Sequence, residues 1–545
     1  MRNINLLIES KIDELASIPL DAGSETINTD VLLAKFYRGM KYDVTAFFYD
    51  TLKVKRAGVS GTSYELVLFG KKIIDKPGDY DFGLVILTYL AWRAIQNEQG
   101  FFEDVTRDSL FNLLNRRRSD LLPESWGLFT VFPESENHVI SANVSLYLTN
   151  EFLYYFSGES PYDNTQNGVQ AWMVRALNSL YERGAYEYNS KPYTIFLVKA
   201  LLVLFTCTKN GEVKELTKKV LDRMYFKYAL QSSRGKCVVP YRRRPDRLVD
   251  ILRKNDEAAT WNLAYTGEIP NDETYSYDEM GYDTSFIILA RLAAYTPPSY
   301  AMELLRNEEV TVWSKCTHTN LELTYREPTF TLFSGGWEDN MFSFKVPFYV
   351  TPNDSTVRET CLLLRDGSQR VSELIRFIPV GGYWRVKNST GVYRNFACGT
   401  NLTVPPGFTP ITSSNGFSFL ESGETFIAMR TSPITFDPLM DLKNVGCLEV
   451  VRKNEFPDFS SFRSRVLTLN ESTSVGRFGT STYVSTRGYE ISFTTLPNSQ
   501  EWLIREVRKN GKIIESEEIS NTLSAYIYAE DGNGNPITEE LFILP

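Results

Sequence analysis

The chain has 545 residues, of which 43% are apolar and 23% charged, so its composition is globular and excludes wholesale disorder, collagen-like and coiled-coil structure. Asp and Glu (67) outnumber Lys and Arg (58), and the net charge of −9 argues against a nucleic-acid binder that works through bulk charge. No stretch reaches the ~20 apolar residues that span a bilayer, and no secretory leader opens the chain. We expect a cytoplasmic or virion-associated protein, or a secreted or periplasmic one if a leader was removed.

Cysteine and histidine usage limits the possible chemistry. The six cysteines show no CxxC spacing, so neither a disulfide framework nor a zinc ribbon is predicted. Only two histidines occur, His138 and His318, which makes a multi-histidine metal site nearly impossible. We therefore expect no metal and no cofactor.

The first 300 or so residues carry the 3.6-residue periodicity of amphipathic helices. Over residues 79–94, apolar residues recur at three- and four-residue intervals after a Pro-Gly-Asp turn. Further helices are predicted at 30–52, 107–114, 138–156, 169–181, 193–205, 213–228 and 282–295. This number of helices, joined by short turns, indicates helical hairpins packed around a common centre.

The pattern changes near residue 309 to short runs rich in β-branched and aromatic residues. Strands are predicted at 310–313, 321–325, 342–346 and 417–420, with Gly, Pro and Asn turns between them. Helices first and strands second predict a multidomain α-then-β protein. The expected divisions are a helical domain (1–305), an antiparallel β-sheet domain (306–460) and a terminal β-sheet portion (461–545), separate from or continuous with the preceding domain. A softer boundary is expected near 457–464.

Familiar catalytic signatures are absent. The sequence has no GxGxxG after a strand, no GxxxxGK[ST], no HExxH and no GxSxG. These absences argue against dinucleotide oxidoreductases, P-loop enzymes, zincins and α/β-hydrolases. The remaining candidates are polar residues set into helical, aromatic surroundings.

Two polar segments open predicted helices. Glu136, Asn137 and His138 begin the helix over 138–156, where their side chains and free N–H groups suit an anion such as a substrate carboxylate, or form a plain solvated cap. Asn189 precedes the helix over 193–205 as a candidate cap. Tyr193 then lies in the first helical turn, where it either passes protons or packs as a core aromatic.

The order of these residues resembles the heparinase II/III-like and oligoalginate lyase group of polysaccharide lyases. Asn137-His138 is followed by Asn189 and by Tyr193 at a helix start, and then by a lone histidine, His318, in the β region. Residues 330–338 (FTLFSGGWE) and 416–430 also look like β-domain strands of this group. The resemblance implies an incomplete (α/α) toroid, then C-terminal antiparallel β-sandwich domains, with the active site in the cleft between them.

The resemblance also implies roles for the residues. Asn137 and His138 would neutralise a uronate carboxylate, which acidifies the proton on the adjacent carbon. Tyr193 would abstract that proton or protonate the leaving oxygen, and His318 would be the complementary base. β-Elimination needs no more than charge neutralisation and a positioned acid–base pair. The candidate substrate-binding residues are Asn189, Glu136, Glu187, Arg242 and Trp172.

Two of these substrate-binding candidates also have a purely structural interpretation. Arg242 belongs to a run of arginines suited to carboxylates but equally to a solvated loop, and Trp172 suits either sugar stacking or core packing.

Three functions follow. The first is a lyase that cleaves a uronate-containing acidic glycan, with an acidic polysaccharide or oligosaccharide as partner and no nucleic acid. The second is a non-catalytic glycan-binding or structural protein that keeps the lyase fold, such as a component of a viral or other large assembly. The third is an (α/α)-toroid glycoside hydrolase that uses carboxylates such as Glu136 and Glu187. Elimination alone produces an unsaturated uronate that absorbs near-ultraviolet light.

Overall fold

The structure is a computed structural model, and it describes about two thirds of the chain. The described residues are 1–19, 29–40, 63–68, 71–77, 80–96, 127–129, 132–133, 136–185, 189, 193–233, 235–237, 258–271, 275–307, 309–317, 321–335, 360–364, 375–377, 391–412, 415–437, 442–495, 502–516 and 527–537.

Eleven α-helices lie within these ranges, and ten of them precede residue 307. They are α1 (Asn5–Ser17), α2 (Thr29–Tyr37), α3 (Tyr80–Ile95), α4 (Glu136–Ser157), α5 (Val169–Arg183), α6 (Tyr193–Cys207), α7 (Gly211–Leu230), α8 (Ala259–Thr266), α9 (Thr284–Leu292), α10 (Ser299–Arg306) and α11 (Phe459–Leu469). None of these helices is long and apolar enough to cross a bilayer.

The predicted helices agree closely with α3 to α7, and caps explain where two of the helices begin. Asn210 accepts a hydrogen bond from the backbone N–H of Val213 at 3.1 Å at the start of α7. The side chain of Asp283 accepts a hydrogen bond from the backbone N–H of Phe286 at 2.9 Å at the start of α9. The predicted helix over 30–52 was too long: α2 ends at Tyr37, and residues 38–40 are not helical. The predicted helix over 107–114 and residues 41–52 lie outside the described residues.

Twenty-five strands occur in the described ranges, and all of their pairings are antiparallel. Eight short strands accompany the helices: β1 (Arg2–Asn3), β2 (Ser63–Leu68), β3 (Lys71–Pro77), β4 (Gly127–Phe129), β5 (Phe132–Pro133), β6 (Ser232–Ser233), β7 (Lys236–Cys237) and β8 (Glu268–Ile269). The other seventeen follow residue 311: β9 (Val312–Thr317), β10 (Leu321–Glu327), β11 (Phe330–Gly335), β12 (Thr360–Leu364), β13 (Ile375–Phe377), β14 (Val392–Tyr393), β15 (Phe396–Thr400), β16 (Leu402–Thr403), β17 (Ile411–Thr412), β18 (Phe417–Ser422), β19 (Thr425–Asp437), β20 (Leu442–Arg452), β21 (Ser481–Val484), β22 (Tyr489–Phe493), β23 (Ile504–Lys509), β24 (Lys512–Ser516) and β25 (Ile527–Asp531).

Three larger sheets form the carboxyl half. Their strand orders are β16-β13-β12-β11-β10-β9-β25 in the seven-stranded sheet, β14-β15-β20-β19-β18-β17 in the six-stranded sheet and β21-β22-β23-β24 in the four-stranded sheet. Helices are therefore mostly amino-terminal and strands mostly carboxyl-terminal, as predicted. The predicted strand over 342–346 lies outside the described residues.

The terminal region contains two features that the sequence did not predict. The helix α11 occupies the position where a soft boundary was expected. Asp458 caps this helix, and Phe462 and Val466, which lie one turn apart, are buried on the same face. Strand β25 returns to pair with β9, with Ile527 opposite Cys316 and Asp531 opposite Val312.

The seven-stranded sheet contributes to two hydrophobic cores. Val312 and Cys316 of β9 join the core formed by the helices, whereas Trp313 between them joins the core shared with the other large sheets. This alternation is the period of two that a strand imposes on its side chains. One face of the sheet therefore packs against the helices and fixes their position relative to the β region.

Arg326 of β10 strengthens this junction. Its side chain is 2% exposed and donates hydrogen bonds to the carbonyl oxygens of Ser232, at 2.9 Å, and Leu304, at 3.0 Å. Leu304 lies in the last turn of α10 and Ser232 just beyond the end of α7, where carbonyls lack intrahelical partners. A cation also suits the negative end of a helix dipole, so this arginine ties two helix ends to the sheet.

Candidate functional site

The N-terminal turns of three helices meet in a stack of aromatic rings. Phe82 is the third residue of α3 and stacks on His138, the third residue of α4, with ring centroids 4.5 Å apart. Phe82 also stacks on Phe196, the fourth residue of α6, at 4.0 Å. Because the N-terminal end of a helix carries partial positive charge, three such ends together favour an anion.

Two of the predicted catalytic residues lie at this stack. His138 is itself part of it, and Tyr193, the first residue of α6, lies one turn before Phe196; both side chains are partly exposed. Glu136, the first residue of α4, is partly exposed as well, whereas Asn137 is only 2% exposed. The structure therefore brings the predicted Asn137-His138 pair to the start of the helix that carries Tyr193.

A buried polar cluster extends from the stack to two further helix starts. The ammonium of Lys199 lies 5.6 Å from the ring centroid of Phe196 and 2.7 Å from a carboxylate oxygen of Asp283, and it donates to Ser285 at 2.8 Å. Asp283 is the N-cap of α9, and Asp30, in the first turn of α2, is electrostatically coupled to both charged groups.

The two carboxyl groups of this cluster differ in pKa. Desolvation pushes the pKa of Asp283 upward, but the charge and hydrogen bond of Lys199 outweigh it, and the pKa lies below its usual range. The pKa of Asp30 is raised, chiefly by desolvation. Opposite shifts in neighbouring carboxyl groups are typical of acid–base sites, and also of structural ion-pair networks.

A small cavity lies where the helices meet the seven-stranded sheet. Its volume is about 50 Å³, and its lining includes Asn189, Thr194, Arg223, Lys227 and Cys316. Ligand pockets for drug-sized molecules have ~300–1,000 Å³, so this cavity admits a single chemical group and not a sugar ring.

Asn189, predicted to bind substrate, connects this cavity to the sheet. Its backbone is left-handed, with φ of 52°, a conformation that asparagine tolerates better than most residues. Its side chain donates to the carboxylate of Glu322 in β10 at 2.9 Å. Glu322 is completely buried, and it also accepts from Gln231 and lies 3.1 Å from the ammonium of Lys227.

The remaining predicted residues are less informative. Trp172 of α5 is partly buried and packs against the helical core. Glu187, Arg242 and His318 lie outside the described residues, so their roles stay predictions. Within the part of the chain that the structure describes, no three His, Cys, Asp or Glu side chains are grouped as metal ligands would be.

Sequence reasoning missed the charged residues of the cavity, although a signal for them exists. Arg223, Lys227 and Gln231 follow one another at four-residue spacing, which places them on one face of α7 and its extension. A lone Lys199 inside the most apolar stretch of the chain was a comparable signal of a buried ion pair. No protein-family model matches this chain, and no curated protein matches it significantly.

Proposed function

We propose that this protein is a polysaccharide lyase that cleaves a uronate-containing acidic glycan by β-elimination. The observation that carries the proposal is the meeting of three helix N-termini at His138 and Phe196, one turn from Tyr193. A uronate carboxylate bound there would be stabilised by the helix dipoles and by His138. Such neutralisation acidifies the proton on the adjacent carbon. Tyr193 would remove that proton or would protonate the leaving oxygen.

The proposed architecture is an incomplete (α/α) toroid followed by a β-sandwich. In its support, successive helix contacts close a cycle from α2 through α3, α4, α6 and α9 back to α2. The N-terminal turns of these five helices carry Asp30, Phe82, His138, Phe196 and the cap Asp283, which are connected by the stack and the Lys199 cluster. We infer that substrate approaches this end of the helices, beside the sheet that Asn189 contacts.

One observation favours the hydrolase alternative. Hydrolysis requires one protonated and one ionised carboxyl group, and Asp30 and Asp283 have pKa values shifted in opposite directions. These aspartates are a second carboxyl pair suited to that chemistry, beside the predicted pair of Glu136 and Glu187.

A panel of acidic glycans tests the proposal. We expect that incubation with alginate, heparan sulfate, hyaluronan and pectate, one at a time, produces rising near-ultraviolet absorbance with at least one of them, because elimination leaves a conjugated uronate. New reducing ends without absorbance would favour the hydrolase. Binding to a glycan without any cleavage would favour the non-catalytic alternative.

A further inference from the structure

Arg223 is a buried cation with no counter-ion among the residues that the structure describes. Its side chain is 7% exposed, and its guanidinium lies 5.7 Å from the ring centroid of Tyr181. Arg223 makes no ion pair or hydrogen bond with any residue that the structure describes. Glu182 acts on it electrostatically but is exposed and beyond ion-pair distance. An unpaired buried charge is costly, so an anion bound beside the guanidinium would be stabilised.

The charges around Arg223 leave a surplus of positive charge in the cavity. Lys227 also lines it, but its ammonium is already paired with Glu322. Burial raises the pKa of the Cys316 thiol to about 12, so at neutral pH this cavity residue carries no negative charge. Burial lowers the pKa of Arg223, yet arginine stays protonated in proteins. Among the described residues that line the cavity, no carboxylate balances the charge of Arg223.

The size and lining of the cavity restrict what can enter it. Its volume of about 50 Å³ exceeds the ~10–15 Å³ that one water requires, so the cavity has room for a few water molecules or one small polar group. Leu180, Met224 and Trp261 give the remaining walls an apolar character. A planar guanidinium matches the two oxygens of a carboxylate bidentately, whereas a larger, more highly charged anion would have to lose more hydration against apolar walls.

We propose that this cavity is a carboxylate-binding site in which Arg223 is the anchoring residue. The ligand is a small carboxylic acid or the carboxylate end group of a larger molecule. Neither His138 nor Tyr193 is part of its lining. The inference does not depend on lyase activity, because it concerns binding alone.

The test is a thermal-shift titration with sodium acetate and with sodium D-glucuronate, against sodium chloride at equal ionic strength. Acetate, glucuronate or both should raise the melting temperature of the wild-type protein saturably. A response to acetate alone would identify the ligand as a small carboxylic acid. A response to glucuronate alone would identify it as the carboxylate of an acidic sugar. A response to both would identify it as the carboxylate end group of a larger molecule. An equal effect of chloride, or no effect of either carboxylate, would overturn the proposal.

Two variants of α7 locate the effect. Arg223→Gln should abolish the carboxylate response, while the ligand-free variant melts no lower than wild type, because an unpaired buried charge has been removed. Lys219→Gln removes the same charge from an exposed position of the helix and should respond like wild type. If Arg223→Gln does not fold, Arg223→Lys takes its place, with half-saturation at an about tenfold higher concentration because the bidentate fork is lost. An unchanged response in the Arg223 variant contradicts the assignment.

Discussion

Tyr193→Phe should lower the rate of glycan cleavage by about 10²–10⁴-fold, the usual contribution of a positioned proton-transfer group. The variant keeps the aromatic ring, so packing at the start of α6 is preserved and only the hydroxyl is lost. Because the side chain is partly exposed, we expect little change in the free energy of unfolding. The effect should fall on kcat, with KM nearly unchanged, since the hydroxyl acts in the transition state.

The measurement is initial-rate kinetics of near-ultraviolet absorbance on the glycan found active in the panel. Tyr155→Phe is the matched control, because it makes the same substitution at an 81% exposed tyrosine near the other end of α4. The control should retain wild-type rates. Equal activity in the two variants would remove Tyr193 from the mechanism.

Glu322→Ala should lower the free energy of unfolding by about 3–5 kcal/mol, the typical cost of removing one partner from a buried ion pair. Glu322 is fully buried and is the acceptor for Asn189, Lys227 and Gln231. Its loss leaves the ammonium of Lys227 without this carboxylate and two amide groups without their acceptor. Because Asn189 and Lys227 belong to the helical region and Glu322 to β10, the substitution weakens the junction between the two.

Guanidinium-induced unfolding provides the measurement. Glu421→Ala is the control, because Glu421 forms a surface ion pair with Lys453 and its loss should change the free energy by less than about 1 kcal/mol. The double variant Glu322→Leu, Lys227→Met should recover part of the lost stability, since apolar replacements of a buried pair are often tolerated. A loss no larger in Glu322→Ala than in Glu421→Ala would show that the buried pair does not hold the junction.

The sequence predicted the elements whose periodicity is long and regular. The helix predicted over 193–205 is α6, and that over 138–156 is α4, each within two residues at either end. The shorter α8 and α10 were missed, because eight residues give too few turns for a periodic signal. The thirteen-residue α1 was missed as well. The serine and charged residues that indicated a boundary near residue 460 form the polar face of the helix α11.

The candidate site was predictable only in part. Asn137, His138 and Tyr193 stand at helix starts, and local sequence indicates helix starts. The buried charges depend on partners distant in the chain: Lys199 is paired with a residue 84 positions later, and Lys227 with one 95 positions later. No local sequence pattern shows which charged residues pair with each other. The Lys199 cluster, the Glu322 junction and the unpaired Arg223 were therefore found only in the structure.

The most direct test of the proposed site is a crystal structure of Tyr193→Phe bound to an oligosaccharide of the active glycan. The predicted result is a uronate carboxylate within hydrogen-bonding distance of His138 and the N-terminal turns of α4 and α6, with its sugar ring beside residue 193. A sugar bound elsewhere, with the stack of Phe82, His138 and Phe196 covered by protein and inaccessible to the carboxylate, would contradict the account.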